Sequence, residues 1–393
     1  GASVANVVQA RPEVRRFPLD GTNMKNAVKV QSRQFNVWDW DADDNGVVRI
    51  GYYIQENQVS VLYRKTAAED FKVVAKFNGN QDSDRSQLYS ALKIMNGTED
   101  GLTLAKGPSG KIALRRVNLT TGQLGDVVYE NPDADLTDFD VDKSGKPVAV
   151  YYTDDRDKIV WLDPKMAQVQ AQLESALGGQ DLWIMSRAKD DSRMILAAGD
   201  ANDPGSYYIY TPATHTLDFV TDYRPGMPVA SLAPVKPVRY PARDGTTIHA
   251  YLTLPKGRGP KNLPLIIMPH GGPYGIRDTL DYNDEVQLLA NRGYAVLQPE
   301  FRGSSGISEG FTRAGYGQWG RKMQTDLSDG AHYLAQSGMV DPARVCIVGA
   351  SYGGYAAMAG VTLQSGIYRC AVAVAPVSDL VAMYNTDFNE SGT

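Results

Sequence analysis

Ser351 stands in Gly349-Ala350-Ser351-Tyr352-Gly353-Gly354, between an apolar run (Arg344–Val348) and a stretch of helical composition. A G-x-S-x-G in that setting lifts a serine clear of a sheet on a tight strand-to-helix turn, which suits a nucleophile. The glycines on both sides permit the turn. The backbone N–H of Tyr352 opens the helix and can donate to a developing oxyanion. His270-Gly271-Gly272-Pro273 follows another apolar run, and a glycine pair there can bring a second N–H to the same oxyanion. Gly272 is the choice for that donor, with Gly271 the near alternative. The chemistry these residues suit is acyl transfer through a serine.

Other polar residues near these motifs have plainer readings. His270 precedes the serine and sits in the oxyanion loop, so packing or hydrogen bonding is expected of it rather than base catalysis. Arg302, in Phe301-Arg302-Gly303-Ser304-Ser305-Gly306, is a candidate anchor for a substrate carbonyl, with a loop-bracing ion pair the competing role. Asp326 and Asp329 share one helical face at i, i+3. No His or Cys joins them, so helix-face and dipole roles are expected and no metal site is. Cys346 and Cys370 lie in apolar runs and read as small buried hydrophobes. No cofactor is called for.

Two textures of sequence must position these groups. From about residue 36 to 228, strand-sized alternating runs are separated by turn signals such as Lys143-Ser144-Gly145-Lys146. They group into units over about 36–80, 86–131, 137–180 and 182–224. That period, with several strands per unit, predicts a β-propeller of about four recognisable blades over residues 1–234, against a β-sandwich as the alternative. Residues 1–35 are a candidate remnant of a further blade, and 164–177 the one helical stretch. From 235 to 393, continuous apolar runs such as Leu263–Met268 and Ala295–Gln298 alternate with helical stretches. This predicts a doubly wound, mostly parallel sheet of the α/β-hydrolase kind.

Four motifs taken together, His270-Gly-Gly-Pro, Phe301-Arg-Gly-Ser-Ser-Gly, Trp319-Gly…Asp326…Asp329-Gly and Gly349-Ala-Ser-Tyr-Gly-Gly, resemble the prolyl oligopeptidase family of serine peptidases. The His-Gly-Gly-Pro form is most similar to its acylaminoacyl-peptidase and dipeptidyl-peptidase branches. The resemblance implies an acyl-enzyme on Ser351, oxyanion donors on Tyr352 and Gly272, and hydrolysis of short peptides near their N-terminus. It also implies a propeller that keeps folded proteins out. The dipeptidyl-peptidase branch holds the substrate's amino terminus with adjacent glutamates, and this chain has no Glu-Glu pair. A carboxylesterase and a non-catalytic propeller–hydrolase module are the alternatives.

The four histidines, His215, His249, His270 and His332, all precede Ser351, whereas a hydrolase triad runs Ser, Asp, His. Asp379 is the only local candidate for the acid. The expectation is therefore a segment of a longer peptidase, with both domains incomplete and the triad Asp and His beyond Thr393. Alone, such a chain is expected to be inactive. Its expected partners are a short peptide and either that missing segment or a second copy.

Composition bounds the rest. The chain has 393 residues, is 42% hydrophobic and 22% charged, and carries a net charge of −5. No basic run suggests nucleic acid, and no apolar run approaches a membrane span of about 20 residues. The start, Gly1-Ala2-Ser3, lacks Met and a leader pattern, which leaves cytoplasm and periplasm or exterior open.

Overall fold

The computed structural model describes residues 12–17, 27–43, 45–55, 58–78, 92–95 and 98–391. The chain divides into two compact units. One holds residues 1–152, 159–162 and 379–393, the other 153–158 and 163–378.

In the first unit the alternating runs form small sheets. Strands Val37–Ala42, Val48–Gln55, Gln58–Tyr63 and Lys72–Asn78 pair in chain order. Strands Lys93–Ile94, Asp100–Lys106, Ile112–Asn118 and Leu124–Tyr129 make a second sheet of four. Leu136–Val141, Pro147–Thr153 and Asp157–Trp161 make a sheet of three. Consecutive sheets share cores. Ile50, Val61 and Phe77 pack with Val117 and Leu119, and Leu102, Leu104 and Leu114 pack with Leu136, Phe139 and Val150. Burying each such side chain contributes about 1.5–3 kcal/mol. Small antiparallel sheets in sequence, each covering the next, agree with the blades expected. The expected remnant over 1–35 falls largely outside the described residues; within it, Val14–Arg16 pairs with Val28–Gln31.

The first and third sheets repeat one device. Val37-Trp38-Asp39-Trp40-Asp41 and Leu136-Thr137-Asp138-Phe139-Asp140 share the pattern apolar-x-Asp-aromatic-Asp. In both, the first Asp accepts from the following backbone N–H at 2.8 Å, which tucks the aromatic ring into the core. In both, the second Asp accepts a tyrosine hydroxyl at 2.6 Å, from Tyr52 and Tyr151 respectively.

The second unit begins with a different use of the pattern. Helix Pro164–Ala176, N-capped by Asp163 with proline at its first position, covers strand Asp181–Arg187. That strand opens a sheet completed by Met194–Asp200, Asp203–Thr211 and Thr216–Asp222.

The six-stranded sheet carries the candidate site. Its strands are β1 (Val235–Pro241), β2 (Thr247–Thr253), β3 (Leu263–Ile267), β4 (Ala295–Glu300), β5 (Val340–Ala350) and β6 (Cys370–Val374). Their order is β1-β2-β4-β3-β5-β6. The β1–β2 and β2–β4 pairs are antiparallel, and the rest are parallel. The helices are α1 (Asp284–Asn291), α2 (Glu309–Arg313), α3 (Lys322–Gln336) and α4 (Tyr352–Leu363). Leu265 and Ile267 face Met323, Leu327 and Ala356, while Ile266 and Val296 face Val286 of α1. Both faces of β3 are covered, which is why its sequence is apolar without alternation.

One expectation is overturned here. Cys346 and Cys370 are not isolated buried thiols. They are Cα partners on β5 and β6, 4.7 Å apart, and are joined as a disulfide with Cys370 exposed. Parallel pairing across the α4 crossover brings them opposite each other.

Candidate active site

Ser351 ends β5 and begins α4 with φ 56 and ψ −118, a left-handed backbone that a side chain enters at a cost. The surroundings hold it there. Its N–H donates to Val374 of β6 at 3.0 Å, and its carbonyl accepts from Tyr355 at 3.0 Å. The flanking glycines are required by close approach. A Cβ on Gly353 would meet the Pro269 carbonyl, and one on Gly354 would come within 2.9 Å of Pro376. Ser351 is exposed, and its hydroxyl has no hydrogen bond among the described residues. Tyr352 N–H, in the first helical turn, has no intrahelical acceptor.

The Tyr352 side chain points inward, fully buried against Phe301 and Trp319 with ring centroids at 5.3 and 4.6 Å. Its hydroxyl is buried without a hydrogen-bond partner among the described residues, and burial pushes that phenol well above its ordinary range. Tyr352 thus contributes backbone on one side and packing on the other.

The His270–Pro273 loop lies beside the serine. A Cβ on Gly271 would stand 3.5 Å from the Ser351 Cβ. Gly272 has φ 107, precedes a cis proline, and a Cβ on it would come 2.8 Å from Ile276. Its N–H has no acceptor among the described residues. The preceding peptide is held by His270, whose Nδ1 donates to the Gly271 carbonyl at 2.7 Å. Because a peptide is planar and trans, fixing the Gly271 oxygen aims the Gly272 N–H the opposite way.

Behind that loop is a buried polar cluster that sequence reasoning missed. His270 Nε2 lies 2.8 Å from the Ser304 hydroxyl and 3.7 Å from Glu300 Oε2. Glu300 is 0% exposed. Its Oε1 accepts from Asp278 N–H at 2.8 Å, and Oε2 has no hydrogen bond. Burial drives the Glu300 carboxyl far above its usual range, raises Asp278 and lowers His270. The available signal was one acidic residue inside the buried run Ala295–Phe301.

Arg302 sits with its side chain 4% exposed and each nitrogen on a carboxylate: Nε and Nη2 on Asp326 at 3.0 and 2.5 Å, Nη1 on Asp244 at 2.6 Å. This is the bracing arrangement and leaves the guanidinium turned away from solvent, so the carbonyl-anchor role is not carried forward. Asp326 and Asp329 are not a solvated helix face. Asp326 is buried on Arg302, and Asp329 accepts from the Arg243 side chain and N–H. Burial raises the Asp326 carboxyl while Arg302 pulls it back; three donors converging on it fit the ionised form. Asp379 caps helix Leu380–Ser391, accepting from Val381 and Ala382 N–H at 2.9 Å each.

None of the histidines bonds Ser351. His215 meets Tyr210 and His270 is engaged as above, while burial lowers the half-buried His249. Among the described residues no group of three His, Cys, Asp or Glu is arranged to hold a metal.

Residues 280–393 match the model of the prolyl oligopeptidase family. The chain is 35% identical over 300 residues to dipeptidyl aminopeptidase BIII of Pseudoxanthomonas mexicana, covering 74% of this chain and 43% of that protein. It is 30% identical to dipeptidyl peptidase family member 6 of Caenorhabditis elegans, over 51% of this chain and 30% of that one. The chain therefore spans less than half the length of these relatives. Its fold is similar to a puromycin-hydrolyzing peptidase of Mycobacterium tuberculosis, with a TM-score of 0.69 at 18% identity over 95% of this chain and 59% of that one. It is also similar to Porphyromonas gingivalis dipeptidyl peptidase 4, with a TM-score of 0.66 at 18% identity over 90% and 51%. With the serine turn, the glycine loop and the family match falling on one sheet, this chain carries a prolyl oligopeptidase family domain and is partial relative to its relatives.

Proposed function

We propose that the six-stranded sheet is the core of an α/β-hydrolase domain, residues 235–393, in which Ser351 is the acylated nucleophile of a serine peptidase. The carrying observation is an exposed serine held at φ 56 beside two N–H groups, of Tyr352 and Gly272, that lack acceptors among the described residues. A peptide carbonyl placed against the serine would develop its negative charge toward those donors. Residues 1–234 would be propeller blades that limit access to short peptides, cleaved near their N-terminus. The names of the two curated relatives support peptides as the substrate class.

A serine hydroxyl stays protonated at neutral pH without a base, and no imidazole in this chain reaches Ser351. The triad Asp and His are therefore proposed to come from sequence beyond Thr393. The test compares the 393-residue chain with the full-length protein. A fluorophosphonate should label Ser351 quickly only in the longer protein, which should also turn over dipeptide p-nitroanilides. Equal labelling of both at Ser351 would assign the base to one of the four upstream histidines.

A further inference from the structure

Resting on that reading of Ser351 and Gly272, we propose that Glu300 is a positioning residue that selects, through Ser304, the tautomer of His270 on which the aim of the Gly272 amide depends. The argument is a hydrogen count. The Gly271 carbonyl only accepts, so His270 Nδ1 must carry a hydrogen to make its 2.7 Å contact. In a neutral ring Nε2 is then bare and accepts the Ser304 hydroxyl at 2.8 Å. That hydroxyl has two alternative acceptors, the Phe301 carbonyl, also at 2.8 Å, and the Glu300 carboxylate.

Glu300 Oε2, 3.7 Å from Nε2 and without a hydrogen bond, decides between these arrangements. While Glu300 and His270 hold one proton beyond Nδ1–H, the loop contact survives wherever that proton sits. It makes either a carboxylic acid beside a neutral ring or a carboxylate beside an imidazolium. When the pair loses that proton, a buried carboxylate faces a neutral ring, and attraction draws the ring hydrogen to Nε2. Ser304 then turns its hydrogen to the Glu300 carboxylate or to Phe301. Nδ1 is left as a lone pair 2.7 Å from the Gly271 oxygen, two acceptors in contact. The Gly271–Gly272 peptide must rotate, and the oxyanion donor rotates with it.

The direction follows from burial, which raises Glu300 and lowers His270. The shared proton belongs to Glu300 below its raised value and is lost as pH climbs through it. The surrounding groups bias this point without contacting Ser304. Asp278 gives Glu300 a backbone N–H and is itself raised by burial, and its carboxylate form favours the proton on either His270 or Glu300. Arg277 bonds Tyr251 and favours ionisation of Glu300. His249, the Cα partner of Glu300 on β2, is held low by burial. Asp155 lies at Tyr251, and the Tyr251 and Tyr240 phenols are raised by burial.

The test measures kcat and KM of the full-length protein on a dipeptide p-nitroanilide from neutral pH to the alkaline limit of the folded protein, alongside Glu300→Gln. Loss of one oxyanion donor costs about 10²–10³ in kcat, so even partial rotation should lower wild-type kcat at least ~10-fold at the alkaline end with KM steady. The amide of Glu300→Gln cannot ionise, and that variant's ratio of kcat between the two ends should fall to within about twofold, with Glu300→Asp restoring the limb. In parallel, long-range ¹H–¹⁵N spectra of the 393-residue chain, which has four histidines, should show His270 moving from Nδ1–H to Nε2–H across that range. The same alkaline limb in wild type and Glu300→Gln, or a wild-type His270 that keeps Nδ1–H wherever kcat falls, overturns the proposal. Turnover by Ser351→Ala would overturn the peptidase reading instead, leaving the tautomer result to stand on its own.

Discussion

The small sheets repeat polar contacts that the six-stranded sheet uses singly, although the first small sheet also buries Arg49 against Asp43 and Tyr63. In the small sheets the same bonds recur: Asp39 and Asp138 each turn an aromatic ring inward, and Asp41 and Asp140 each take a tyrosine hydroxyl. Around the six-stranded sheet, by contrast, Glu300, Arg302, Asp326 and His270 are buried and each makes a contact that does not recur. Repetition marks a solution to packing, since one unit must cover the next in the same way. Unrepeated buried charge is costly and is retained where it fixes geometry that packing alone does not. The comparison teaches where chemistry is to be sought, and substitutions in the two regions should separate accordingly.

The largest separation is in activity. Ser351→Ala in the full-length protein should lower kcat/KM by at least about 10³-fold. Removal of a repeated bond, as in Asp140→Asn, should leave turnover within about twofold, because a surface change of this kind acts on stability alone. Steady-state kinetics with one peptide substrate checks both. A comparable loss in the two variants would break the division.

In stability the order is set by burial of charge. Asp326→Ala strands the Arg302 guanidinium, side chain 4% exposed, with Asp244 as its remaining acidic partner. Breaking a buried pair of this kind costs about 3–5 kcal/mol, and a fall of that size should appear in chemical unfolding. A loss below about 1 kcal/mol would place the pair with surface salt bridges.

The sequence disclosed these two regions unequally. The apolar runs from Leu263 to Val348 predicted strands and their burial, because a strand covered on both faces has no polar alternation to hide. The serine turn was legible because its glycines answer to local backbone geometry. What escaped were contacts made only by register. Cys346 meets Cys370 through parallel pairing, and Glu300 meets His270 through a loop and a neighbouring strand. The period of some forty to fifty residues was visible, but not that Tyr52 and Tyr151 bond aspartates eleven positions before them. No local spacing encodes a partner across a hairpin until the pairing is known.

A pH experiment sharpens the charged side of the comparison. The Arg302 guanidinium beside Asp244 holds that carboxyl well below the usual carboxylate range. A depressed carboxyl stabilises the fold above its unfolded value, near 4, and the contribution fades as pH falls toward the folded value. Wild-type Tm should therefore drop below about pH 4 more steeply than that of Asp244→Asn. The effect should be modest, since Asp244 is partly exposed to solvent. Parallel acid limbs in the two proteins would remove Asp244 from the stabilising network.

The smallest effects lie within the repeat itself, where one bond occurs twice in different surroundings. Tyr52 and Tyr151 both donate to an aspartate at 2.6 Å, but Tyr52 is buried and Tyr151 only half-buried over an exposed Asp140. A hydrogen bond to a charged acceptor contributes about 1.5–3 kcal/mol when water is excluded and much less where water competes. Tyr52→Phe should therefore cost about 1–2 kcal/mol and Tyr151→Phe about 0.5 kcal/mol or less, read from paired denaturant curves at constant m. Bond length and partner type match, and burial differs between the two tyrosines. Equal costs would mean that the repeated bond acts through backbone geometry common to both sheets, and the distinction between repeated and buried polar groups would then rest on the six-stranded sheet alone.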